Sequence, residues 1–217
     1  MIELVIGDKN LSSWSLRPWL VLKQTGQPFT ETVVRLNRPD TGPEIMKHSP
    51  TGQVPALRDG ELALWDSLAI SEYLAERFPG AGLWPQDPLT RAHARAVACE
   101  MHSGFASLRG ECPMNLTLTP HRKEVSDLTR RGLVRLVQMF SEMRARFGGE
   151  GPWMFGRWSI ADAFYTPVAT RIRTYGLALS DFGDTGVAGE YVSALLQQPD
   201  FLEWEQQAAR EEGGSPA

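Results

Sequence analysis

QVPALRDGELALWDSLAISEYLAERFPG, residues 53–80, carries two hydrophobic periods in succession. PALR and ELAL are short apolar runs on either side of Asp59-Gly60. An Asp-Gly pair in that setting signals a tight hairpin, because a type I′ turn needs positive φ at both central residues. From Asp66 the period changes. Ile70, Tyr73, Leu74 and Phe78 recur at helical spacing, and Pro79-Gly80 closes the run. The stretch therefore reads strand, strand, helix.

Upstream, IELVI (2–6) reads as a short buried strand. Ser15 to about Gln24 places Leu16, Trp19, Leu20 and Val21 on one helical face, with Pro18 near the start, where proline is tolerated. FTETVVRL (29–36) is β-branched and reads as a second strand. Strand, helix and strand within some 35 residues define a parallel βαβ unit. The first 80 residues thus order as βαβ, a loop or short helix, then ββα.

PGAGLWPQDP (79–88) is rich in glycine and proline and reads as a linker. After it strand signals nearly vanish. Residues 89–110 are alanine-rich and helical. Residues 121–147 put Leu133, Leu136, Val137, Phe140 and Phe147 on one stripe, and GGEGP (148–152) stops them. SIADAFYTPVATRIRTYG opens with Ser159 and Asp162 at capping-box spacing and ends at Gly176. Residues 186–197 and 199–210 read as two more helices, and the tail EEGGSPA as frayed. The expected division is 1–80 as an α/β domain, 81–88 as a linker and 89–217 as an all-helical domain.

Composition narrows the function classes. A net charge of −4 and 42% hydrophobic residues describe a chain able to bury a sizeable core. The acidic balance argues against nucleic acid or an anionic membrane as partner. No stretch has the ~18 apolar residues of a spanning helix. Cys99 and Cys112 are too few for a disulfide framework, and four scattered histidines form no HExxH, so no metal is expected. A reducing, cytoplasmic setting follows as the simplest expectation.

Three places can carry chemistry. Gln53-Val54-Pro55 precedes the hairpin. If the Val54–Pro55 bond is cis, the Val54 N–H and C=O stay open to pair with an extended peptide; the alternative is an ordinary trans proline in a turn. Asp66-Ser67 opens a helix, either as a cap or as a carboxylate site built from free N–H groups, the dipole and the Ser67 hydroxyl. Ser12 and Ser13 in LSSWSLRPW (11–19) carry the same ambiguity. They are helix caps, or hydroxyl donors to a thiolate at a helix N-terminus. A free thiol has a pKa near ~8.5, and a two-unit drop costs about 2.7 kcal/mol. One charge-assisted hydrogen bond plus a helix end supplies that order of energy.

LSSWSLRPW, QVPAL and WDSLAISEYL, followed by a Pro/Gly linker into an all-helical half containing SIADAFYTP, resemble the cytosolic glutathione S-transferase family in order and spacing. The resemblance covers essentially the whole chain. It is of bacterial type. SSWSLR is nearest to the serine-type, zeta-like SSCSWR motif, with Trp14 where that motif has cysteine. The family's asparagine-rich segment in the first helix of the helical domain is replaced by SLRGECP (107–113).

The resemblance implies a thioredoxin-like N-terminal domain and an all-helical domain carrying the electrophile pocket. It also implies glutathione as cosubstrate, a small hydrophobic electrophile and a homodimer. It assigns Ser12 as thiolate donor with Ser13 in reserve. Ser12, Gln53, Val54, Pro55, Asp66 and Ser67 become glutathione-binding residues, with Val54–Pro55 cis. Trp14 and Arg109 stand at the electrophile pocket, and Ser159 and Asp162 form a structural capping box. The implied activity is thiol conjugation to an electrophile in detoxification. A glutathione-dependent isomerase of the maleylacetoacetate type and a non-catalytic glutathione-binding module are the alternatives.

Overall fold

The computed structural model describes residues 1–213. Four strands form one sheet: β1 (Ile2–Gly7), β2 (Phe29–Val34), β3 (Ala56–Asp59) and β4 (Leu62–Trp65), in the order β2-β1-β3-β4. β1 and β2 run parallel, with Ile2 opposite Phe29. They are joined by α1 (Ser13–Thr25), as the strand–helix–strand reading requires. β3 runs antiparallel to both β1 and β4. The β3–β4 turn differs from the expected type I′. Asp59 pairs with Leu62, so Gly60 and Glu61 are the central residues. Only Gly60 has positive φ, at 60°. That is the pattern of a type II′ turn, which needs glycine at its first central position.

The alternating side chains of β1 feed two layers. Leu4 and Ile6 join the main core beneath α1 and α3 (Ser67–Arg77), which also takes in Leu16, Leu20, Ile70 and Leu74. Val5 faces the other way, into a small cluster with Val34, Ala56 and Ile45 of α2 (Thr41–Met46). β2 ends at Val34, two residues early, because Asp8 captures the next two: its carboxylate accepts from the Leu36 N–H at 2.6 Å and from Arg35 at 2.7 Å.

The second half comprises α4 (Pro88–Ser103), α5 (Ala106–Glu111), α6 (Asp127–Phe147), α7 (Ile160–Thr174), α8 (Val187–Gln197) and α9 (Pro199–Gly213). The continuous helix expected over 89–110 is broken at Gly104-Phe105, where Phe105 takes φ 54°. The helix expected from residue 121 starts at Asp127. The backbone before it serves α7 instead: His121 and Lys123 N–H donate to the Thr174 and Tyr175 carbonyls at the C-terminal end of that helix. The Ser159–Asp162 pair forms as read. The buried Asp162 carboxylate accepts from the N–H and hydroxyl of Ser159, from the Met154 N–H and from the Tyr191 hydroxyl. Of the tail expected to fray, 214–217 lie outside the described residues.

One hydrophobic core runs through both halves. The glycine- and proline-rich linker is packed, not loose: Leu83 and Trp84 are buried, and the Leu83 carbonyl accepts from the Ile160 N–H. α1 lies between the sheet and the helical half, so Ser15 through Leu22 are all buried. α9 returns to the first half. Trp204 Nε1 donates to the Lys9 carbonyl at 2.8 Å, and the Lys9 ammonium pairs with Glu31 and Gln207 between the Trp19 and Trp204 rings. This two-sided burial of α1 sets the position of its N-terminus.

Candidate active site

Three chain segments far apart in sequence converge on one cleft. The N-terminus of α1, the loop at 51–55 and the N-terminus of α3 enclose a cavity of about 470 Å³ lined by Ser12, Ser13, Trp14, Gln53, Val54, Pro55, Asp66 and Ser67. All the residues expected to bind the tripeptide therefore share one cavity. The Val54–Pro55 bond is cis. The Val54 backbone N–H and C=O make no hydrogen bond among the described residues.

The α3 end of the cleft is built by Asp66. Its Oδ1 caps the helix, accepting from the Leu68 N–H at 2.8 Å and the Ala69 N–H at 3.2 Å. Oδ2 lies 3.2 Å from His102 Nε2 on α4. Asp66 adopts φ 75°, a conformation that costs a non-glycine residue on the order of 1–3 kcal/mol. The surrounding bonds hold it there, with one carboxylate edge at the cleft. Ser67 is 1% exposed, and its hydroxyl has no hydrogen-bond partner among the described residues. A buried, unsatisfied hydroxyl at a helix N-terminus is a ready donor for an incoming carboxylate.

At the α1 end the two serines differ. Ser12 is the N-cap: its Oγ accepts from the Ser15 N–H at 3.3 Å and donates to Ser15 Oγ at 2.7 Å. Ser15 Oγ in turn accepts from the Gly7 N–H. The single proton of Ser12 is thus committed within the helix start. Ser13 Oγ accepts from Arg171 Nη2 at 3.2 Å, and no acceptor among the described residues takes its proton. A cation on the oxygen makes that proton a better donor.

Trp14 divides this cleft from a second cavity of about 460 Å³, whose walls include Ser13, Trp14, Arg109 and Arg171. The Arg109 guanidinium lies 5.3 Å from the Trp14 ring centroid, and the His102 ring meets that indole edge-on. Arg17 lies 4.2 Å from the same ring and 4.9 Å from Phe164. Its guanidinium is fully buried, with no hydrogen-bond partner among the described residues. Burial, reinforced by Arg171 and Arg109, lowers the Arg17 pKa to about 9. Burial and Arg109 lower that of Arg171 to about 10. Burial also lowers the His102 pKa, against the opposing pull of Asp66.

Trp14 and Arg109, both expected at the electrophile pocket, do lie together beside the second cavity; His102, Arg171 and the central position of Arg17 were not anticipated. For Arg17 a signal existed: it is the one polar residue in the run 16–22 of α1. For His102 and Arg171 there was none, because each reaches the cleft only through the packing of α4 and α7 on the first half. Among the described residues no group of three or more His, Cys, Asp or Glu side chains is placed to hold a metal ion. No helix there is long and apolar enough to cross a membrane.

The fold defines a class: a thioredoxin-like sheet domain carrying a peptide-sized cleft, joined to an all-helical domain that helps wall the adjoining cavity. Residues 11–77 match the family model for the glutathione S-transferase N-terminal domain, and residues 126–207 that for the C-terminal domain. A maleylacetoacetate isomerase of Pseudomonas aeruginosa is 32% identical over 79% of this chain and 81% of its own. A stringent starvation protein A homolog of Haemophilus ducreyi is 24% identical over 91% of this chain and 86% of its own. A solved glutathione transferase homolog from Burkholderia, with bound glutathione, superposes with a TM-score of 0.71 at 25% identity, covering 96% of this chain and 98% of that one. The chain belongs to the glutathione S-transferase family.

Proposed function

We propose that the chain binds glutathione in the cleft between α1 and α3 and activates its thiol for attack on a small electrophile. The observation that carries this reading is the Ser67 hydroxyl, buried and unpartnered at the start of α3, in one cavity with the free Val54 backbone and the α1 N-terminus. The Ser67 hydroxyl receives the γ-glutamyl carboxylate, favoured by the α3 dipole, and Asp66 receives the neighbouring ammonium. Val54 pairs with the cysteinyl backbone as an added strand. The sulfur then lies at the start of α1.

There the thiol loses its proton to solvent, and the Ser13 hydroxyl donates to the thiolate, assisted by Arg171 and the α1 dipole. A sulfur lone pair forms the C–S bond, and the leaving group departs with the bonding pair. The donor role moves from Ser12 to Ser13 because the Ser12 proton is engaged by Ser15. Ser12 holds the turn that presents Ser13.

The 32% identity to a maleylacetoacetate isomerase favours a second reading. The same thiolate adds to a cis double bond to give an enolate, the adduct rotates, and elimination expels the thiolate and leaves the trans isomer. Trp14, in place of cysteine in the zeta-like motif, counts against it. Calorimetry with glutathione tests the binding reading. Turnover of 1-chloro-2,4-dinitrobenzene against a cis-diketo acid separates the two chemistries. Glutathione binding with neither turnover supports the non-catalytic module, and absent binding refutes all three. The family supports a homodimer, tested by sedimentation. A cytoplasmic setting, a detoxifying role, independence of metal, and no nucleic-acid or membrane partner complete the proposal. The unpaired Cys99 and Cys112 accord with a reducing compartment.

A further inference from the structure

We infer that the second cavity receives an acceptor carrying a carboxylate, which ion-pairs with Arg109 and Arg171 while its planar part lies against Trp14. This rests on the glutathione reading and replaces the expectation of a purely hydrophobic electrophile. The 460 Å³ cavity is walled by two guanidiniums and by no carboxylate side chain. A third guanidinium, Arg17, sits 4.2 Å from the Trp14 ring. None of the three makes a salt bridge among the described residues.

The nearby acids are spent elsewhere. Glu111 accepts from Ser126 and Thr129. Asp66 caps α3 and meets His102. Three cations held close to one another beside a water-poor aromatic wall repel each other and lose hydration. A glutathione thiolate at Ser13 supplies one negative charge, and its nearest cation is Arg171. A neutral acceptor would strip further water from Arg109 and return nothing. A carboxylate restores both charge and hydrogen bonds.

The donors are available. Arg109 has a buried Nε with no partner. Arg171 uses three N–H groups, on the Cys112 and Pro167 carbonyls and Ser13 Oγ, and retains two of its five. The two arginines come from α5 and α7, so the carboxylate is gripped between two helices of the helical half. Trp14 lines both cavities and gives a planar acceptor an apolar wall beside this pair.

The test compares two conjugates that fill both cavities and differ at one ring position: S-(2,4-dinitrophenyl)glutathione and S-(4-carboxy-2-nitrophenyl)glutathione. Their dissociation constants are measured by calorimetry beside that of glutathione. The carboxylate conjugate is expected to bind at least about tenfold tighter than the dinitro conjugate, since a charge-assisted pair is worth that much or more. In Arg109→Gln, checked for native circular dichroism, the advantage is expected to fall below threefold, and Arg109→Lys to recover part of it. Equal affinity of the two conjugates in the wild type, with glutathione bound, overturns this inference and leaves the glutathione reading standing. An advantage undiminished in Arg109→Gln overturns the assignment to Arg109. Failure of glutathione and both conjugates to bind overturns the glutathione reading and this inference together.

Discussion

Replacing Ser13 by alanine removes a hydroxyl whose oxygen faces Arg171 and whose proton has no acceptor among the described residues. A hydrogen bond to an ionised sulfur contributes about 1.5–3 kcal/mol. At 1.36 kcal/mol per unit, that is roughly one to two pKa units on the bound thiol. The rising limb of the conjugation pH–rate profile should therefore move up by about that amount. The loss in kcat/KM is greatest below the new pKa, about tenfold to a hundredfold, and disappears above it. Glutathione affinity, set at Val54, Asp66 and Ser67, stays within about twofold. Ser12→Ala removes a cap instead. It should cost about 1 kcal/mol of stability and leave the limb in place. The assay is a stopped-flow profile with 1-chloro-2,4-dinitrobenzene between pH 5.5 and 9.5. A limb that shifts in Ser12→Ala and not in Ser13→Ala refutes the assignment. Shifts in neither mean that the α1 N–H groups and the arginines hold the thiolate.

Three other substitutions probe the rest of the site. Ser67→Ala should raise the KM for glutathione more than it lowers kcat, because the contact is remote from sulfur and equal in ground and transition states; a drop in melting temperature with normal kinetics would make Ser67 a structural residue only. Arg17→Met should raise the melting temperature while weakening the carboxylate conjugate, since a buried, unpaired cation is replaced by an apolar chain of similar length. The sign follows from the lowered pKa of about 9. Below that value Arg17 is charged in both folded and unfolded states, so its cost is constant between pH 6 and 8 and is relieved only as pH rises through 9. A gain that changes across pH 6–8 contradicts this. Asp162→Ala leaves four buried donors around one carboxylate unsatisfied and should cost about 3–5 kcal/mol by urea denaturation; a loss under 1 kcal/mol would mean that the neighbourhood repairs itself.

Much of this molecule was legible as periodicity and turn chemistry. The βαβ unit, the hairpin and the α3 face were readable because their signals are local: alternation, helical spacing and glycine at a turn. The same holds for Asp66 as a cap and for Ser159 with Asp162. Boundaries shifted where a distant group competed for the backbone. Asp8 ended β2 by taking the Leu36 N–H, and the end of α7 took the backbone before α6. The hairpin turn moved by one residue because strand register, not the Asp-Gly pair, fixed its centre.

The cleft was legible only as separate fragments. Sequence order marked Ser12, Ser13, Val54, Asp66 and Ser67 as candidates, but it held no information on which serine keeps a free proton. That was decided by Ser15, three residues along the helix, and by Arg171, 158 residues away in sequence. The positive charge around Trp14 has the same origin. Arg17, Arg109 and Arg171 are unremarkable singly on their helices, and the chain as a whole is acidic. They become a cluster because α1 is buried on both faces, which forces one guanidinium inside and brings α5 and α7 up to Trp14. Short-range patterns determine which elements form. Long-range packing sets the charge and proton inventory of the space between them, because desolvation and Coulomb energies depend on distances through space, not along the chain.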